Sequence, residues 1–103
     1  MGNIWCCCCC KKNKKKIPRE AFKQVSAHEI SDLMKLVFTA PLCKDFREYC
    51  ELCGVDGQEV TDWTDAILEN EYKVKDSRVR EFILVTGRNM MIELWLEAAS
   101  KRQ

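Results

Sequence analysis

The chain has 103 residues and a formal net charge of +1, a length that suits one small domain. It holds no apolar run near the roughly 20 residues of a transmembrane helix, and its start lacks the order of charged and apolar residues typical of a signal peptide. This argues against a secreted or membrane-spanning protein and favours the cytosol, where the eight cysteines stay reduced.

The first sixteen residues differ sharply in composition from the rest of the chain. They contain five consecutive cysteines, five lysines and no acidic residue, whereas residues 17–103 carry 12 basic and 16 acidic side chains. The change falls at Ile17-Pro18. We therefore predict a disordered arm over residues 1–16 and a folded interaction domain over residues 17–103.

The start of the arm resembles a lipid-attachment signal. Gly2 follows the initiator methionine as in N-myristoylation signals, although Cys6 stands where that motif has Ser or Thr. Adjacent cysteines in an extended chain point in opposite directions and cannot converge on a metal, and a disulfide between neighbours is strained. We therefore predict that they are palmitoylated, and the candidate sites are Cys6, Cys7, Cys8, Cys9 and Cys10.

The expected free energies of membrane binding favour an anchor of two parts, acyl chains and lysines. One myristoyl chain binds a membrane only marginally, and each further buried methylene adds about 0.8 kcal/mol. Lysines add roughly 1 kcal/mol each at an anionic cytoplasmic leaflet, and the arm supplies Lys11, Lys12, Lys14, Lys15 and Lys16. The expected partner is thus anionic membrane lipid, and the expected location is the cytoplasmic face of the plasma membrane or an endomembrane.

A lysine run has other interpretations. By itself it is usually a solvated tail or a nuclear-import-like patch. Nucleic-acid binding is disfavoured, because no aromatic or arginine side chains alternate with the lysines and the remaining chain is net acidic. The adjacent cysteines favour the membrane.

The folded part is predicted to be all-α, a compact bundle of five to six short antiparallel helices. A short helical turn is expected over 19–25. Ser26 and Glu29 form a capping box that starts a helix ending before Pro41, and Val25 with Ile30 occupy the positions of a hydrophobic staple. The apolar stripe of this helix comprises Ile30, Leu33, Met34, Val37 and Phe38.

Two further helices are predicted in the middle of the chain. The first covers 41–53 and ends at Gly54, and its apolar face comprises Leu42, Phe46, Tyr49, Cys50 and Cys53. The second begins at the Asp56 cap and continues to Asn70, with an apolar face of Val60, Trp63, Ile67 and Leu68. Residues 71–76 are predicted to be a polar connection.

The last predicted pair of helices meets at Gly87. Val79, Phe82, Ile83 and Thr86 fit a helical face, although the stretch 82–86 would also suit a buried strand. Gly87 is expected to end this helix and Asn89 to cap the next. The final helix, to about Lys101, would bury Met91, Leu94, Trp95 and Ala98.

The folded part offers little catalytic chemistry. Cys50 and Cys53 form a C-x-x-C pair, but no second Cys or His pair follows at ligand spacing, so packing is their expected role, as it is for Cys43. His28, the single histidine, lies in a capped first turn without a nucleophile nearby. We predict no enzymatic activity, no metal site and no cofactor.

From Leu42 onward the sequence resembles a death domain, the six-helix module of adaptor assembly. The stretch 45–55 is similar to that family's second helix and 56–63 to the next, while 77–89 with 90–102 resembles the closing pair. Phe46 stands where the family usually has Trp, and the usual Trp near Val85 is missing. The resemblance, over residues 26–102, implies homotypic contacts through charged helix surfaces, and the candidates are Asp62, Asp65, Glu69, Arg78, Arg80 and Arg88.

The sequence thus predicts a lipid-anchored signalling adaptor that binds a cytosolic protein, such as another death-fold protein. A membrane-tethered scaffold or regulator of another family, acting on an enzyme or in trafficking, is the alternative. A cysteine-based metal or redox protein is the third hypothesis.

Overall fold

The computed structural model describes residues 17–102, and within this range the chain is all-helical and compact, as predicted. Two 3-10 turns cover Arg19–Gln24 and Pro41–Cys43, and a π-helical turn covers Phe82–Gly87. The described residues form six α-helices: α1 (Ala27–Val37), α2 (Lys44–Cys53), α3 (Gly57–Asp62), α4 (Asp65–Asn70), α5 (Ser77–Glu81) and α6 (Arg88–Lys101).

Helix α1 begins where the capping pattern predicts. The Ser26 hydroxyl accepts a hydrogen bond of 3.3 Å from the backbone N–H of Glu29. Val25 and Ile30, the predicted staple pair, are both buried in the core. At the other end the backbone N–H of Phe38 donates to the Met34 carbonyl, and the Phe38 ring is fully buried. The cap and the staple therefore fix the start of this helix, as expected.

The predicted apolar face of α2 is wrong at three positions. Leu42 is 73% exposed, Tyr49 is 39% exposed and Cys53 is exposed, whereas Cys43 is buried. The element starts at Pro41 as a 3-10 turn, which has three residues per turn, so the spacing of a regular α-helix does not apply to its first residues. Gly54 ends α2 with a φ of 68°, as predicted.

The single helix predicted between Asp56 and Asn70 is two helices. Trp63 has extended backbone, and the Thr64 hydroxyl accepts a hydrogen bond of 3.2 Å from the Ile67 N–H, which caps α4. Arg88 binds the carbonyls at the break from outside α3 and α4. Its Nη1 donates to the Trp63 carbonyl at 3.0 Å and to the Val60 carbonyl at 3.3 Å, which also accepts from the Trp63 N–H. The break turns the Trp63 ring into the core, where it is buried.

The predicted stop at Gly87 and the cap at Asn89 are also wrong. Helical structure continues from Ser77 to Lys101 through the π-helical turn, and the Asn89 side chain donates to the Val85 carbonyl at 2.7 Å instead of capping a helix. Gly87 has a helical φ of −62° and lies against the Phe38 ring. This glycine therefore permits a close contact and does not end the helix.

The π-helical turn also changes which side of α6 is buried. Its extra residue per turn shifts the register of everything that follows. Met91 is buried and Trp95 half-buried, as predicted, but the expected core residues Leu94 and Ala98 are exposed, as is Thr86 within the π-helical turn itself. Their places in the core are taken by Ile92 and Ala99.

An aromatic cluster occupies the side of the core where α2 meets residues 71–76. Phe46 packs edge-to-face on Phe38 and Trp63, with ring centroids 5.6 Å and 5.3 Å apart. Tyr72 packs on Trp63 at 5.7 Å and on Tyr49 at 5.4 Å. Such pairs add stability beyond their buried area. The cluster reaches the surface at Tyr49, which is 39% exposed, and at the half-buried Tyr72.

Candidate interaction surfaces

The predicted lipid-attachment and membrane-contact residues lie outside the described part of the chain. These residues are Gly2, the cysteines 6–10 and the five lysines at 11, 12, 14, 15 and 16. Within residues 17–102, no helix is long and apolar enough to cross a bilayer. The described residues also contain no group of three metal-ligating side chains.

Three of the six predicted contact residues come together around Arg80. Its Nε donates to Asp65 Oδ1 at 2.8 Å, and its Nη1 lies 4.0 Å from Glu69 Oε2. The same Nη1 donates to the carbonyls of Val74 and Lys75, and the Arg80 side chain is only 10% exposed. Arg80 therefore holds residues 71–76 against α4 and α5.

The other three predicted contact residues, Asp62, Arg78 and Arg88, lie apart from the cluster around Arg80. Arg88 is half-buried and hydrogen-bonded to the carbonyls at the α3–α4 break. Asp62 is exposed and accepts hydrogen bonds from Gln58, and Arg78 is exposed and paired with Asp76. The exposed side chains that a partner could reach are therefore Asp62, Asp65, Glu69 and Arg78.

An open apolar cleft, which we call the Leu42 groove, lies between the 3-10 turn Pro41–Cys43 and α5. It has a volume of about 290 Å³, and Asp76 and Arg78 form its polar edge. Its apolar walls comprise Ala40, Leu42, Cys43, Val79 and Phe82. Leu42, at 73% exposure, gives this surface a large apolar side chain in contact with water.

A second cleft continues from the Leu42 groove and shares Leu42, Asp76 and Val79 with it. Its volume is about 440 Å³, and Tyr49 and Tyr72 form part of its wall. Lys73 and Lys75 lie on its rim, and Lys73 has a φ of 59°, in the left-handed region. The combined surface is thus apolar in the middle and carries charges of both signs at its edge.

A third site, the acidic pocket, opens on the other side of the aromatic cluster. It has a volume of about 120 Å³, and its lining residues are Glu59, Asp62, Trp63, Ile67, Glu71 and Tyr72. Burial raises the pKa of Tyr72 to about 12, and the neighbouring Trp63 indole opposes that shift. The Trp63 Nε1 is buried, and its ring packs edge-on against the Tyr72 ring with the centroids 5.7 Å apart.

The three described cysteines differ in environment. Cys43 and Cys50 are buried and Cys53 is exposed, so the packing role expected for the C-x-x-C pair holds for Cys50 and is wrong for Cys53. Burial raises the pKa of the Cys50 thiol, with Cys53 and Glu59 adding to the shift, and burial also raises the pKa of Cys43. Both buried side chains therefore remain neutral thiols near neutral pH.

Sequence reasoning missed Leu42, Glu59, Glu71 and Tyr72 as surface residues of interest. One signal was available for the carboxylates, because residues 45–71 contain nine acidic residues and one basic residue. For Leu42 the sequence offers no comparable signal, since it is an apolar residue on a predicted helix face. Tyr72 is an aromatic residue within the predicted polar connection, and the sequence does not indicate which of its neighbours it contacts.

Comparison of the chain with protein-family models, with curated proteins and with solved structures finds no match.

Proposed function

We propose that this protein is a lipid-anchored signalling adaptor that uses its helical domain to hold a cytosolic partner at a membrane. The observation that carries the proposal is the sequence of the arm, in which Cys6–Cys10 directly precede the lysine cluster. Thiols next to basic residues are suitable acceptors for palmitate, and the lysines add attraction to an anionic leaflet.

The helical domain supplies a surface suited to protein binding. Leu42 is 73% exposed at the junction of two adjoining clefts, and the charged residues Asp76, Lys73 and Arg78 lie around them. An apolar centre with a polar rim is the usual anatomy of a protein interface. This surface supports partner binding as the activity of the domain.

The anchor is tested by replacing all five cysteines with Ser in cells and measuring the membrane-bound fraction. We expect the fraction to fall and to become sensitive to salt, because the remaining attraction would rest on the lysines with at most one myristoyl chain, and salt screens the lysine contribution. Mass spectrometry of the native protein should then show hydroxylamine-labile acyl masses on peptides from the wild-type arm. Unchanged membrane association of the Ser variant would contradict the proposal, as would bound zinc or copper on a protein without acylation.

Partner binding is tested with one surface substitution and a matched control. Leu42→Asp changes the groove, whereas Leu36→Asp places the same charge at a residue that is 68% exposed and lies outside both clefts. Leu42→Asp should keep the stability of the wild type within about 0.5 kcal/mol, because the position is exposed. Leu36→Asp should cost up to about 1 kcal/mol more, because an acidic side chain in the last turn of α1 opposes the helix dipole, and both variants should remain folded. Proximity labelling in cells should lose its specific partners with Leu42→Asp and retain them with Leu36→Asp.

The identity of those partners separates the competing hypotheses. Another death-fold protein among the Leu42-dependent partners would support the death-domain resemblance and homotypic assembly. An enzyme or a trafficking complex would support the alternative of a membrane-tethered regulator from another family. Equal loss of partners with both variants would argue against the Leu42 groove as the interface.

A further inference from the structure

The Leu42 groove and the cleft that continues from it form one surface, which we call the Leu42 surface, and this surface is the basic part of an acidic domain. Residues 17–103 carry 12 basic and 16 acidic side chains. Three of the basic and two of the acidic residues line the two clefts, namely Lys73, Lys75, Arg78, Asp45 and Asp76. The Leu42 surface therefore has a net charge of +1, whereas the nine basic and 14 acidic residues elsewhere in the domain give −5.

Only some of these charges are available to a partner. Asp76 and Arg78 bind each other, with an ion pair of 3.4 Å and a hydrogen bond of 2.9 Å from the Arg78 backbone N–H. Lys73 and Lys75 are exposed and form no ion pair among residues 17–102, and the same holds for Asp45. Two free ammonium groups against one free carboxylate favour a partner that carries negative charge.

The backbone of Lys73 gives a second, independent reason to assign a role to this side chain. Among the described residues, Lys73 is the only one besides glycine with a positive φ, which is 59°. Hydrogen bonds on both sides hold it there, from the Tyr72 N–H to Ile67 at 3.3 Å and from the Val74 N–H to Leu68 at 3.0 Å. Left-handed backbone costs free energy that glycine would avoid. A lysine at this position is thus not explained by stability, whereas binding explains an ammonium group at the rim of a cleft.

The shape of the Leu42 surface favours a helical partner. Its two clefts, of about 290 Å³ and 440 Å³, share Leu42, Asp76 and Val79 and so form one continuous depression. A flat bilayer does not fill such a depression, whereas projecting side chains do. Residues 17–102 contain no strand edge to which an extended peptide could add. An amphipathic helix binds a groove of this kind through apolar side chains spaced three, four or seven residues apart.

Apolar contacts at the centre of the Leu42 surface supply the affinity. Leu42 is 73% exposed and Tyr49 is 39% exposed, and a helix lying across both clefts would cover them. Large side chains near the centre of an interface usually carry most of its binding free energy. Charges at the edge contribute more to the choice of partner and to the rate of association. Lys73 and Lys75 are therefore specificity residues, and Leu42 is the anchor.

We propose that the Leu42 surface binds an acidic amphipathic helix of a cytosolic partner, with apolar side chains in the two clefts and carboxylates on Lys73 and Lys75. This inference deepens the proposed adaptor function and rests on it for the role of the partner at a membrane. The recognition itself does not depend on the lipid anchor. The lysines of the arm also attract acidic peptides, so every comparison below uses variants that keep the arm unchanged.

Recognition is tested by selecting displayed helical peptides on the full, non-acylated chain in solution without lipid. The library consists of helices of about 16 residues with leucine at i, i+4 and i+7 and random residues elsewhere. Clones that bind the wild type but not Leu42→Ser should be enriched in Asp and Glu beside the leucines. Ser removes the apolar side chain without adding a charge that would itself repel acidic peptides. Leu42-dependent clones without acidic enrichment, or no Leu42-dependent clone at all, would overturn the proposal.

The role of the charges is tested with two charge-matched double variants. The surface variant combines Lys73→Gly and Lys75→Gln, and the control combines Lys35→Gln and Lys101→Gln at exposed lysines outside both clefts. A synthetic copy of the most enriched peptide should bind the surface variant about five-fold more weakly than the control, the effect expected from two surface ion pairs. High salt should remove the difference. Equal affinities at low salt would overturn the assignment of the carboxylates to these lysines.

The single variant Lys73→Gly separates binding from stability. Because glycine adopts a positive φ without strain, the urea midpoint of unfolding should stay the same or rise, while the peptide should bind more weakly. A fall of the urea midpoint together with binding would show a merely structural role for Lys73 and contradict the proposal.

Other occupants of the Leu42 surface would show themselves in two measurements on the same chain. A dimer in light scattering that Leu42→Ser dissociates would identify a second copy as the occupant. Weaker binding of Leu42→Ser to vesicles of phosphatidylcholine and phosphatidylserine, without Leu42-dependent peptides, would identify a bilayer. Either result would overturn the acidic helix.

These outcomes are distinguishable from failure of the proposed function, because peptide selection uses no membrane. Acidic, Leu42-dependent peptides on a chain whose membrane-bound fraction does not depend on its five consecutive cysteines would support the helix recognition and contradict the anchor. Leu42-dependent partners in cells, together with selected peptides that are not acidic, would support the adaptor and overturn the acidic helix.

Discussion

Arg80 donates a hydrogen bond of 2.8 Å from Nε to Oδ1 of Asp65, and this contact ties α5 to the first turn of α4. The Arg80 Nη1 also donates to the Val74 and Lys75 carbonyls at 2.9 Å and 3.0 Å. Only 10% of the Arg80 side chain is exposed, whereas 61% of the Asp65 side chain is exposed. The pair therefore combines a buried cation with a carboxylate that water and a partner can still reach.

The first prediction concerns the different roles of two neighbouring arginines. Arg80→Met should lower the urea midpoint of unfolding clearly, because it leaves two carbonyls and the Asp65 carboxylate without their donor. Arg78→Met should lower the midpoint little, since the Arg78 side chain is 87% exposed and its pair with Asp76 lies in water. Equal loss of stability in the two variants would show that Arg80 does not hold residues 71–76.

The second prediction concerns the contact between Gly87 and Phe38. A Cβ added at residue 87 would lie 2.4 Å from Phe38 Cε1, and the Phe38 ring is fully buried and cannot easily move. Gly87→Ala should therefore lower the free energy of unfolding by about 1–3 kcal/mol, as overpacking usually does. An alanine in an ordinary helix interior would raise it instead, because Gly loses more backbone entropy than Ala on folding.

A double variant provides the control for this contact. Phe38→Leu removes the part of the ring that would clash, at its own cost in packing. In this background Gly87→Ala should be much less destabilising, which a double-mutant cycle measured by urea denaturation would show as a coupling energy. Additive effects of the two substitutions would mean that the clash with Phe38 is not the cause.

The third prediction orders the reactivity of the thiols in the domain. Under native conditions iodoacetamide should modify Cys53, which is exposed, well before Cys43 and Cys50, which are buried and whose thiol pKa values are raised. Peptide mapping by mass spectrometry measures the three rates, and denaturation in guanidinium should make them similar. Fast native modification of Cys50 would contradict its place in the core.

The fourth prediction concerns the acid dependence of stability at the start of α5. Asp76 Oδ1 accepts from the Arg78 N–H at 2.9 Å, and the hydrogen bonds from Arg78 lower the Asp76 pKa below its usual 3.8. The unfolded chain therefore takes up this proton at a higher pH than the folded chain. The resulting stabilisation is present above about pH 4 and is lost as the pH falls through the folded pKa.

Asp76→Asn provides the comparison for this effect, because it keeps an oxygen for the cap and removes the charge. Urea denaturation at a series of pH values should show the wild type more stable near neutrality. The gap should close as the pH falls below about 4. A gap that stays constant down to acidic pH would exclude ionised Asp76 as its source.

Features set by a few neighbouring residues could be predicted well from the sequence. The Ser26 cap depends on a hydroxyl and a backbone N–H three residues apart, and the stop at Gly54 depends on a φ that only glycine adopts easily. The all-helical class likewise follows from apolar spacing. The predicted lipid-attachment residues are a matter of composition alone, and they stay a prediction.

Features set by distant contacts could not be predicted. In the sequence, Thr64 resembles any residue inside a helix. Only the packed structure shows that Arg88, from the last helix, donates to the carbonyls at the break beside Thr64. In the sequence, Gly87 resembles a residue that ends a helix, and only the packed structure shows that the Phe38 ring lies against it. The predicted contact residues include both buried and exposed side chains, because distant contacts decide burial. Arg80 is buried by its hydrogen bonds to residues 74 and 75, whereas Asp62 stays exposed.

The sequence by itself determined that the domain is helical and where its first helix begins, because both depend on local spacing. It also determined that positive charge lies in the arm and negative charge in residues 45–71, because this depends on composition. Only the tertiary structure decided that Leu42 faces water, that Trp63 lines an acidic pocket and that the turn Arg19–Gln24 packs on α3 and α6. Each of these depends on residues far apart in the chain, whose contacts exist only once the helices have packed.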